Sequence, residues 1–412
     1  MKPRSLVLFL AVGALAAKLY CAATTIGTSD VAFFYQFAQV IRAHGLIAMY
    51  QGTSFFNHTP LVGWFSEAVY ALSGGDRWKF ALYLRLPGIL SDAGAVLTLL
   101  WLRERTGRPA WWALALFAAS PVAFMVSGYH GNVDSVMAFG LLLAAAACVA
   151  DQSLLCGVAF GLSCNVKIVP LLLAPVFFLF WWKRGGALRF AGSSAVCVLA
   201  GWGAALATIP GVFLKDVLGY GSVWGVWGVT YLLRLSGAAG LKEITLLEPT
   251  HEQAAIILVL KLIVVAAVVA MAWRRRGVEP LKMFETVALA WAVFFVFAPG
   301  FGSQYLVWLA PFFLVASEFW YAALTVASSV ALFVFYNSIS GGMPWRTGFT
   351  VHAIANVWAP WLLLPWLVLV AFLFLPKHLA LIWNDETILN DETRMTAEAL
   401  RDVHGATGTN DD

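Results

Sequence analysis

Long apolar runs, each close to the length of a membrane-spanning helix, recur along this chain and limit what it can fold into. A helix needs about 20 mostly apolar residues to cross a bilayer. We therefore predict an all-α polytopic membrane protein with about twelve transmembrane helices and both chain ends on one side. The predicted spans are Leu6–Ala23, Leu84–Leu102, Ala110–Val126, Val133–Ala150, Leu154–Asn165, Ile168–Trp182, Leu188–Ile209, Ala254–Trp273, Met283–Ala298, Tyr305–Ser317, Tyr321–Asn337 and Pro360–Leu375.

Composition supports a bilayer as the solvent, since 61% of the 412 residues are hydrophobic and only 12% are charged. Soluble domains carry roughly one-quarter charged residues. The net charge of +4 is small, and the Lys and Arg residues form short clusters rather than one basic face, so nucleic acid binding is not expected. The five cysteines fall in or beside apolar runs, without the spacing of a metal site or a disulfide framework. The first run resembles a signal peptide but has no small-residue cleavage site, so we expect it to remain as the first membrane helix.

The Lys and Arg clusters orient the predicted spans, because such residues collect in short cytoplasmic loops. These clusters all fall on the side that holds Lys2 and Arg4. Three loops then lie on the opposite side, at Thr24–Tyr83, Pro210–Gln253 and Ser338–Ala359. The predicted division is a membrane domain over 1–383 and a polar cytoplasmic tail over 384–412. High Ala and Gly content favours a bacterial plasma (inner) membrane, with the functional face on the non-cytoplasmic side.

The first outer loop, 24–83, is predicted to hold two helices. From Asp30 to His44 apolar residues recur at helical spacing, with Ser29 placed to cap the start and Gly45 to end the helix. This segment is too polar to span, and its pattern is typical of a helix lying in the membrane interface. A second stretch, Pro60–Leu72, is predicted to lie there too.

Three outer turns each place a His or an Asp at the same predicted membrane depth. Asp30 follows the first span, and a carboxylate near the bilayer is a functional candidate, although it also suits the first turn of a helix. His58 lies in Asn57-His58-Thr59-Pro60, and His130 and Asp134 lie in a tight polar turn. Solvated turns explain such residues equally well, so it is their clustering that favours a site.

Further polar groups interrupt the apolar runs. Lys167 precedes Pro170, which predicts a chain break near a buried cation that needs an anionic partner, either a lipid phosphate or an aspartate of a structural ion pair. Gln304 and Tyr305 lie in another outer turn, and Asp92 in the second span is expected to pair with another helix. No phosphate loop, paired-His metal motif or nucleophile elbow is present. The chemistry is therefore expected to use lipidic substrates or substrates at membrane depth.

Several of these motifs, in this order along most of the chain, resemble those of the C-type (GT-C) superfamily of membrane glycosyltransferases. They are Thr28-Ser29-Asp30 with Phe33-Phe34-Tyr35, Asn57-His58-Thr59-Pro60-Leu61, Arg85-Leu86-Pro87, His130-Gly131-Asn132-Val133-Asp134, the stretch from Gly157 to Lys167 and Pro170, and Gln304-Tyr305 before Pro311. Within the superfamily the chain is most similar to mannosyltransferases that use polyprenol-phosphate-mannose, and to related lipid-linked oligosaccharide glucosyltransferases. It departs from the pattern at Thr59, where relatives often have a second proline.

This resemblance implies a polyprenyl-phosphate-linked sugar as donor and a glycan or glycolipid as acceptor, with inversion at the anomeric carbon. Asp30 would be the general base, and a cation such as Lys167, Arg85 or a protonated His58 or His130 would stabilise the leaving phosphate. Asp134 would orient one of these groups or the acceptor, and Gln304 and Tyr305 would contact substrate. No cofactor is expected; such families differ in their need for a divalent cation, and the sequence shows no metal cage.

Two other functions fit parts of the sequence. A transporter or flippase of lipid-linked sugars would line a pathway with Lys167, Asp92 and Asp134, but no internal repeat is evident. A polysaccharide polymerase or ligase with a diphosphate-linked donor would call for more outward-facing arginines than the chain has. A glycosyltransferase is therefore the favoured prediction.

Overall fold

The computed structural model describes residues 2–219, 223–246, 248–375 and 378. These residues fold almost entirely into helices, as the apolar runs predict. The first half contains α1 (Pro3–Thr24), α2 (Ser29–His44), α3 (Leu46–Gly52), α4 (Pro60–Ser73), α5 (Arg77–Thr106), α6 (Trp111–Ala118), α7 (Pro121–Ala123), α8 (Asp134–Val149), α9 (Ser153–Val166) and α10 (Ala174–Trp182). The predicted tail, 384–412, lies outside the described residues.

The second half continues the same architecture. It contains α11 (Ala187–Thr208), α12 (Pro210–Phe213), α13 (Gly228–Leu235), α14 (His251–Arg274), α15 (Met283–Phe297), α16 (Ala310–Ala316), α17 (Glu318–Ile339), α18 (Ala355–Trp358) and α19 (Leu363–Leu373). Short 3-10 segments adjoin several helices, at Val169–Leu173, Pro280–Lys282, Ser303–Trp308, His352–Ile354 and Ala359–Leu362, and π-helical turns lie at Phe124–His130 and Leu214–Leu218.

Eight helical segments of the described chain are long and apolar enough to cross a membrane. They are Pro3–Thr24, Arg77–Thr106, Trp111–His130, Ala187–Thr208, His251–Arg274, Pro280–Phe297, Glu318–Ile339 and Ala355–Leu373. The other four predicted runs form shorter apolar helices, Asp134–Val149, Ser153–Val166, Val169–Trp182 and Ser303–Ala316. An all-α membrane protein is thus confirmed, whereas the count of about twelve spans is not.

Both helices predicted in the first outer loop are present, as α2 and α4. The apolar face of α2, formed by Val31, Phe34, Phe37, Ala38 and Ile41, is buried against the rest of the protein. Because this face packs inward, the helix does not need a lipid surface to cover its apolar residues. Its cap also differs from the prediction: the side chain of Thr28, one residue earlier than Ser29, accepts the hydrogen bond from the backbone of Asp30.

A short parallel strand pair ties the start of this loop to the last outer loop. Strand β1 (Gly27–Thr28) pairs with β2 (Thr347–Gly348). Gly27 has a φ of +93°, and a Cβ there would lie 2.7 Å from the carbonyl oxygen of Tyr129. Only glycine fits both the backbone conformation and this close approach. The chain is thereby fixed just before Asp30.

Candidate functional site

A buried arginine fixes the two chain segments that carry the main site residues. Arg85 in α5 is 1% exposed, and its guanidinium and Nε make six hydrogen bonds. Its partners include carbonyl oxygens at the end of α1 and those of Gly128 and Tyr129 in the π-helical turn. A guanidinium offers five N–H donors, all directed here at the protein itself. Arg85 therefore positions the site, and the predicted role as a phosphate ligand is not supported.

Asp30 lies at the start of α2 and faces the turn that follows the π-helical segment. Its Oδ2 accepts hydrogen bonds from Nε2 of His130 at 3.0 Å and from Nδ2 of Asn132 at 2.6 Å. The hydroxyl of Thr28 donates to the carbonyl of His130 at 2.8 Å and holds the two segments together. In the described part of the chain, Oδ1 accepts no hydrogen bond from the protein. That oxygen can accept a hydrogen bond from a ligand.

The surroundings of Asp30 keep it ionised. Burial raises the pKa of this carboxyl, but the facing His130 ring and the hydrogen bonds from His130 and Asn132 outweigh burial, so the pKa lies below its ordinary value of 3.8. The side chain is 29% exposed, so it remains open to a ligand. A carboxylate with these properties can act as a general base at neutral pH.

His130 is held from both ring nitrogens. Its Nε2 faces Asp30, and its Nδ1 lies 3.0 Å from the hydroxyl of Tyr336 in α17. Nε2–H donates to the carboxylate, and Nδ1 shares a second hydrogen bond with the tyrosine hydroxyl. The ring is thereby fixed in orientation and in turn fixes Asp30, with a side chain only 5% exposed.

Asp134 and Lys167 form a second polar pair next to the first. Lys167 Nζ lies 2.7 Å from Oδ1 of Asp134, which also accepts from Trp308 Nε1 at 2.7 Å. The ammonium also lies 4.4 Å from the ring centre of Tyr305 and 5.1 Å from that of Trp308. The predicted chain break is present, since α9 ends at Val166 and Lys167 has an extended backbone. The aspartate is thus the partner of Lys167, one of the two alternatives that the sequence left open.

His58 is enclosed by aromatic rings. Its ring centre lies 4.7 Å from that of Phe34, 5.7 Å from Phe56 and 6.3 Å from Phe37. Burial and the positive charge of Lys167 lower the pKa of His58 to about 4. The imidazole is therefore neutral at neutral pH, so stabilisation of a phosphate by a protonated His58 is not supported.

A cavity of about 950 Å³ joins these groups. Of the predicted site residues, six line it, namely Asp30, His58, His130, Lys167, Gln304 and Tyr305. Arg85 and Asp134 do not line it. The remaining wall is largely apolar, with phenylalanines from α2 and aliphatic residues from the 3-10 segment before α10 and from α14. No group of three or more His, Cys, Asp or Glu residues that could hold a metal ion is found among the described residues.

Several residues of the site and of its surroundings were not predicted. Asn132 appears in the sequence only within the motif His130-Gly131-Asn132-Val133-Asp134, without a predicted role. Tyr336 lies more than 200 positions from His130, with no sequence signal to link them. Lys18 and Lys261 were missed although each is a lysine within an apolar run, which is itself a signal. Lys18 pairs with Asp92 at 2.6 Å, so Asp92 does bind another helix as expected, and Lys261 lines the cavity.

The structure therefore defines an integral membrane protein with an ionised carboxylate at a large, mostly apolar cavity. Residues 53–183 match the family model described as Alpha-(1->6)-mannopyranosyltransferase, N-terminal domain, of the MptA_B family. The match covers about a third of the chain and includes His58, Arg85, His130, Asp134 and Lys167, whereas Asp30 precedes it. No curated protein matches the chain. The resemblance to C-type membrane mannosyltransferases is thus confirmed, mannosyltransferase activity is supported, and a transporter is not.

Proposed function

We propose that the protein transfers mannose from a polyprenyl-phosphate carrier to a glycan or glycolipid acceptor, with Asp30 as the general base. The observation that carries this proposal is the ionised carboxylate of Asp30, held by His130 and Asn132 at the wall of a cavity of about 950 Å³. The apolar wall suits a lipid-linked donor, and the mannosyltransferase family match supplies the sugar. The two carboxylates differ in their surroundings. Asp30 lines the cavity, whereas Asp134 is fully buried and forms an ion pair with Lys167.

The proposed reaction is a single displacement. The acceptor hydroxyl gives its proton to Asp30 and its oxygen attacks the anomeric carbon of mannose. The bond between that carbon and the phosphate oxygen breaks, and its electron pair leaves with the phosphate. The products are the mannosylated acceptor, with inverted configuration, and polyprenyl phosphate; the proton then passes from Asp30 to solvent. Asp30 must come within hydrogen-bond reach of the acceptor for this role.

The proposal includes the orientation of the protein. The basic clusters at the ends of α5 and α14, Arg103 with Arg105 and Arg274 with its neighbours, favour a cytoplasmic position for those ends. Asp30 and the cavity then open on the other side, where the donor would be presented in the outer leaflet. About twelve spans, a bacterial plasma membrane and a cytoplasmic tail over 384–412 complete this proposed picture.

The test is transfer of radiolabelled mannose from polyprenyl-phosphate mannose by purified protein in lipid nanodiscs, with a cell-envelope lipid extract as acceptor. We expect Asp30→Asn to lower the rate at least a hundredfold, because removal of a general base costs about 10²- to 10⁴-fold. The variant keeps an oxygen that can accept from Asn132, so it should fold normally. Asp76→Asn is the matched control, since Asp76 is exposed and caps α5, a position where Asn caps as well as Asp. Normal transfer by Asp30→Asn would remove Asp30 from the mechanism.

A further inference from the structure

Lys261 is a cation in the middle of an otherwise apolar membrane helix. It is the eleventh residue of α14, so it lies about 15 Å from the outer end of that helix. Lys261 lines the cavity together with Val264, Val265 and Val269. These positions, at i, i+3, i+4 and i+8, form one face of the helix. A lysine at the top of an aliphatic stripe thus faces the same cavity as Asp30.

In the described part of the chain, the ammonium of Lys261 has a backbone carbonyl as partner rather than a carboxylate. Its Nζ donates to the carbonyl oxygen of Gly219 at 3.0 Å. Among the described residues, no carboxylate lies within 4.0 Å of this nitrogen. An ammonium at membrane depth is costly unless it has an anionic partner or a ligand. By contrast, the charge of Lys167, the other cavity lysine, is neutralised by Asp134.

The cavity wall that includes Lys261 is largely apolar. Leu171 and Leu172, in the 3-10 segment before α10, line the same cavity as the valine stripe of α14. The described part of the protein does not cover Leu171, Val265 and Val269, so this part of the cavity wall is open to a lipid chain. An apolar groove that begins at this cation has the chemistry of an anionic lipid with its headgroup at the lysine.

We infer that Lys261 binds the phosphate of the polyprenyl-phosphate carrier, with the polyprenyl chain along the groove between the 3-10 segment 169–173 and α14. This inference rests on the proposed function and adds to it the residue that holds the phosphate. Lys167 then remains a structural partner of Asp134. Lys261 binds the phosphate both before and after transfer, because the phosphate is present in the donor and in the released carrier.

The experiment measures binding of polyprenyl phosphate and of uncharged polyprenol to the full chain in nanodiscs made of zwitterionic lipid. We expect Lys261→Gln to weaken polyprenyl phosphate binding roughly tenfold or more, because it removes a charge-assisted hydrogen bond. Binding of polyprenol should not change. Lys215→Gln, which removes the same charge from an exposed outer residue, should bind both lipids like the wild type. Equal loss of polyprenol binding, or unchanged phosphate binding, would overturn the inference.

A second measurement uses only the wild-type protein and so does not depend on how the variant folds. Amine acylation read by mass spectrometry should modify Lys261 more slowly in the presence of polyprenyl phosphate than in the presence of polyprenol. Inorganic phosphate at the same concentration should not protect, which separates a lipid phosphate from a free anion. Protection by polyprenol alone, or by none of the three, would contradict the assignment.

Failure of this inference is distinguishable from failure of the proposed function. If the wild type transfers no mannose but Lys261→Gln still loses polyprenyl phosphate binding, the lipid site stands and the reaction is wrong. If the wild type transfers mannose and Lys261→Gln keeps the wild-type KM for the donor, the reaction stands and this assignment fails. Lys261→Arg should restore the KM, since it returns the positive charge.

Discussion

Asp134 is the most enclosed carboxylate of the site. Its side chain is fully buried, and its Oδ2 has no hydrogen-bond partner, so the charge depends on Lys167 and Trp308 at Oδ1. Loss of one member of a buried ion pair leaves an uncompensated charge, whereas loss of both members is often nearly neutral. The pair should therefore behave as a unit in stability measurements.

We predict that Lys167→Met lowers the free energy of unfolding by about 3–5 kcal/mol. Asp134→Asn with Lys167→Met in the same chain should recover most of that loss, because no charge is then left buried. Thermal unfolding of the purified variants in one detergent measures both effects. Lys183→Met, at an exposed lysine on the opposite side, is the control. Additive losses in the double variant would mean that Asp134 and Lys167 are not coupled.

The sequence predicts which single residues lie together in the candidate site, but not the role of each one. Asp30, His58 and His130 were predictable because polar residues in turns of equal membrane depth are brought together by the helices themselves. The structural role of Arg85 was not predictable, since most of its partners are backbone carbonyls remote in sequence. No pattern shows whether a buried arginine faces a ligand or the chain. The neutral state of His58 likewise depends on rings contributed by α2.

Close packing on α11 holds α9, the helix that ends just before Lys167. A Cβ on Gly161 would lie 2.7 Å from the Cβ of Cys197 and 2.8 Å from the carbonyl oxygen of Ser194. Gly157, one turn earlier, faces the same helix at similarly close range. Small residues four apart let membrane helices approach closely, where van der Waals contact and interhelical hydrogen bonds replace the hydrophobic effect.

We predict that Gly161→Ala destabilises the protein by about 1–3 kcal/mol, because the added methyl must push backbone atoms apart. Gly203→Ala in α11 is the matched control, since a Cβ there meets nothing within 4 Å. That control should be neutral or slightly stabilising, as alanine favours helix by about 1 kcal/mol over glycine. The measurement is the unfolding temperature of both variants and of the wild type in the same detergent. Equal behaviour of the two variants would show that α9 and α11 are not tightly packed.

The helices themselves could be predicted more fully than their details. Every predicted apolar run is helical, because a bilayer requires backbone hydrogen bonds to be satisfied within the segment. Pro170 signalled the break at Lys167. The sequence does not predict the π-helical turn Phe124–His130. Ser127 in that turn donates a hydrogen bond to Asp92 of α5, and a contact between two helices leaves no pattern within either helix.

Clusters of basic residues lie on one side of the molecule, and they favour the proposed orientation in the membrane. These clusters lie at or just after the C-terminal ends of α5, α10 and α14, whereas residues near the start of α10 and between positions 261 and 269 of α14 line the cavity with Asp30. The positive-inside tendency favours a cytoplasmic position for these basic ends. A donor in the outer leaflet can reach Asp30 only if this orientation is correct, so the proposed reaction and the inferred lipid site both depend on it.

Cysteine labelling tests the orientation directly. Gln36→Cys on the exposed side of α2 and Lys242→Cys in the second outer loop should react with an impermeant maleimide in right-side-out spheroplasts. Lys183→Cys, exposed beyond α10, should react only in inverted vesicles. The wild type serves as blank, because its five cysteines are half-buried or buried within helices. Labelling of Gln36→Cys only in inverted vesicles would place Asp30 in the cytoplasm, where an outer-leaflet donor could not reach it.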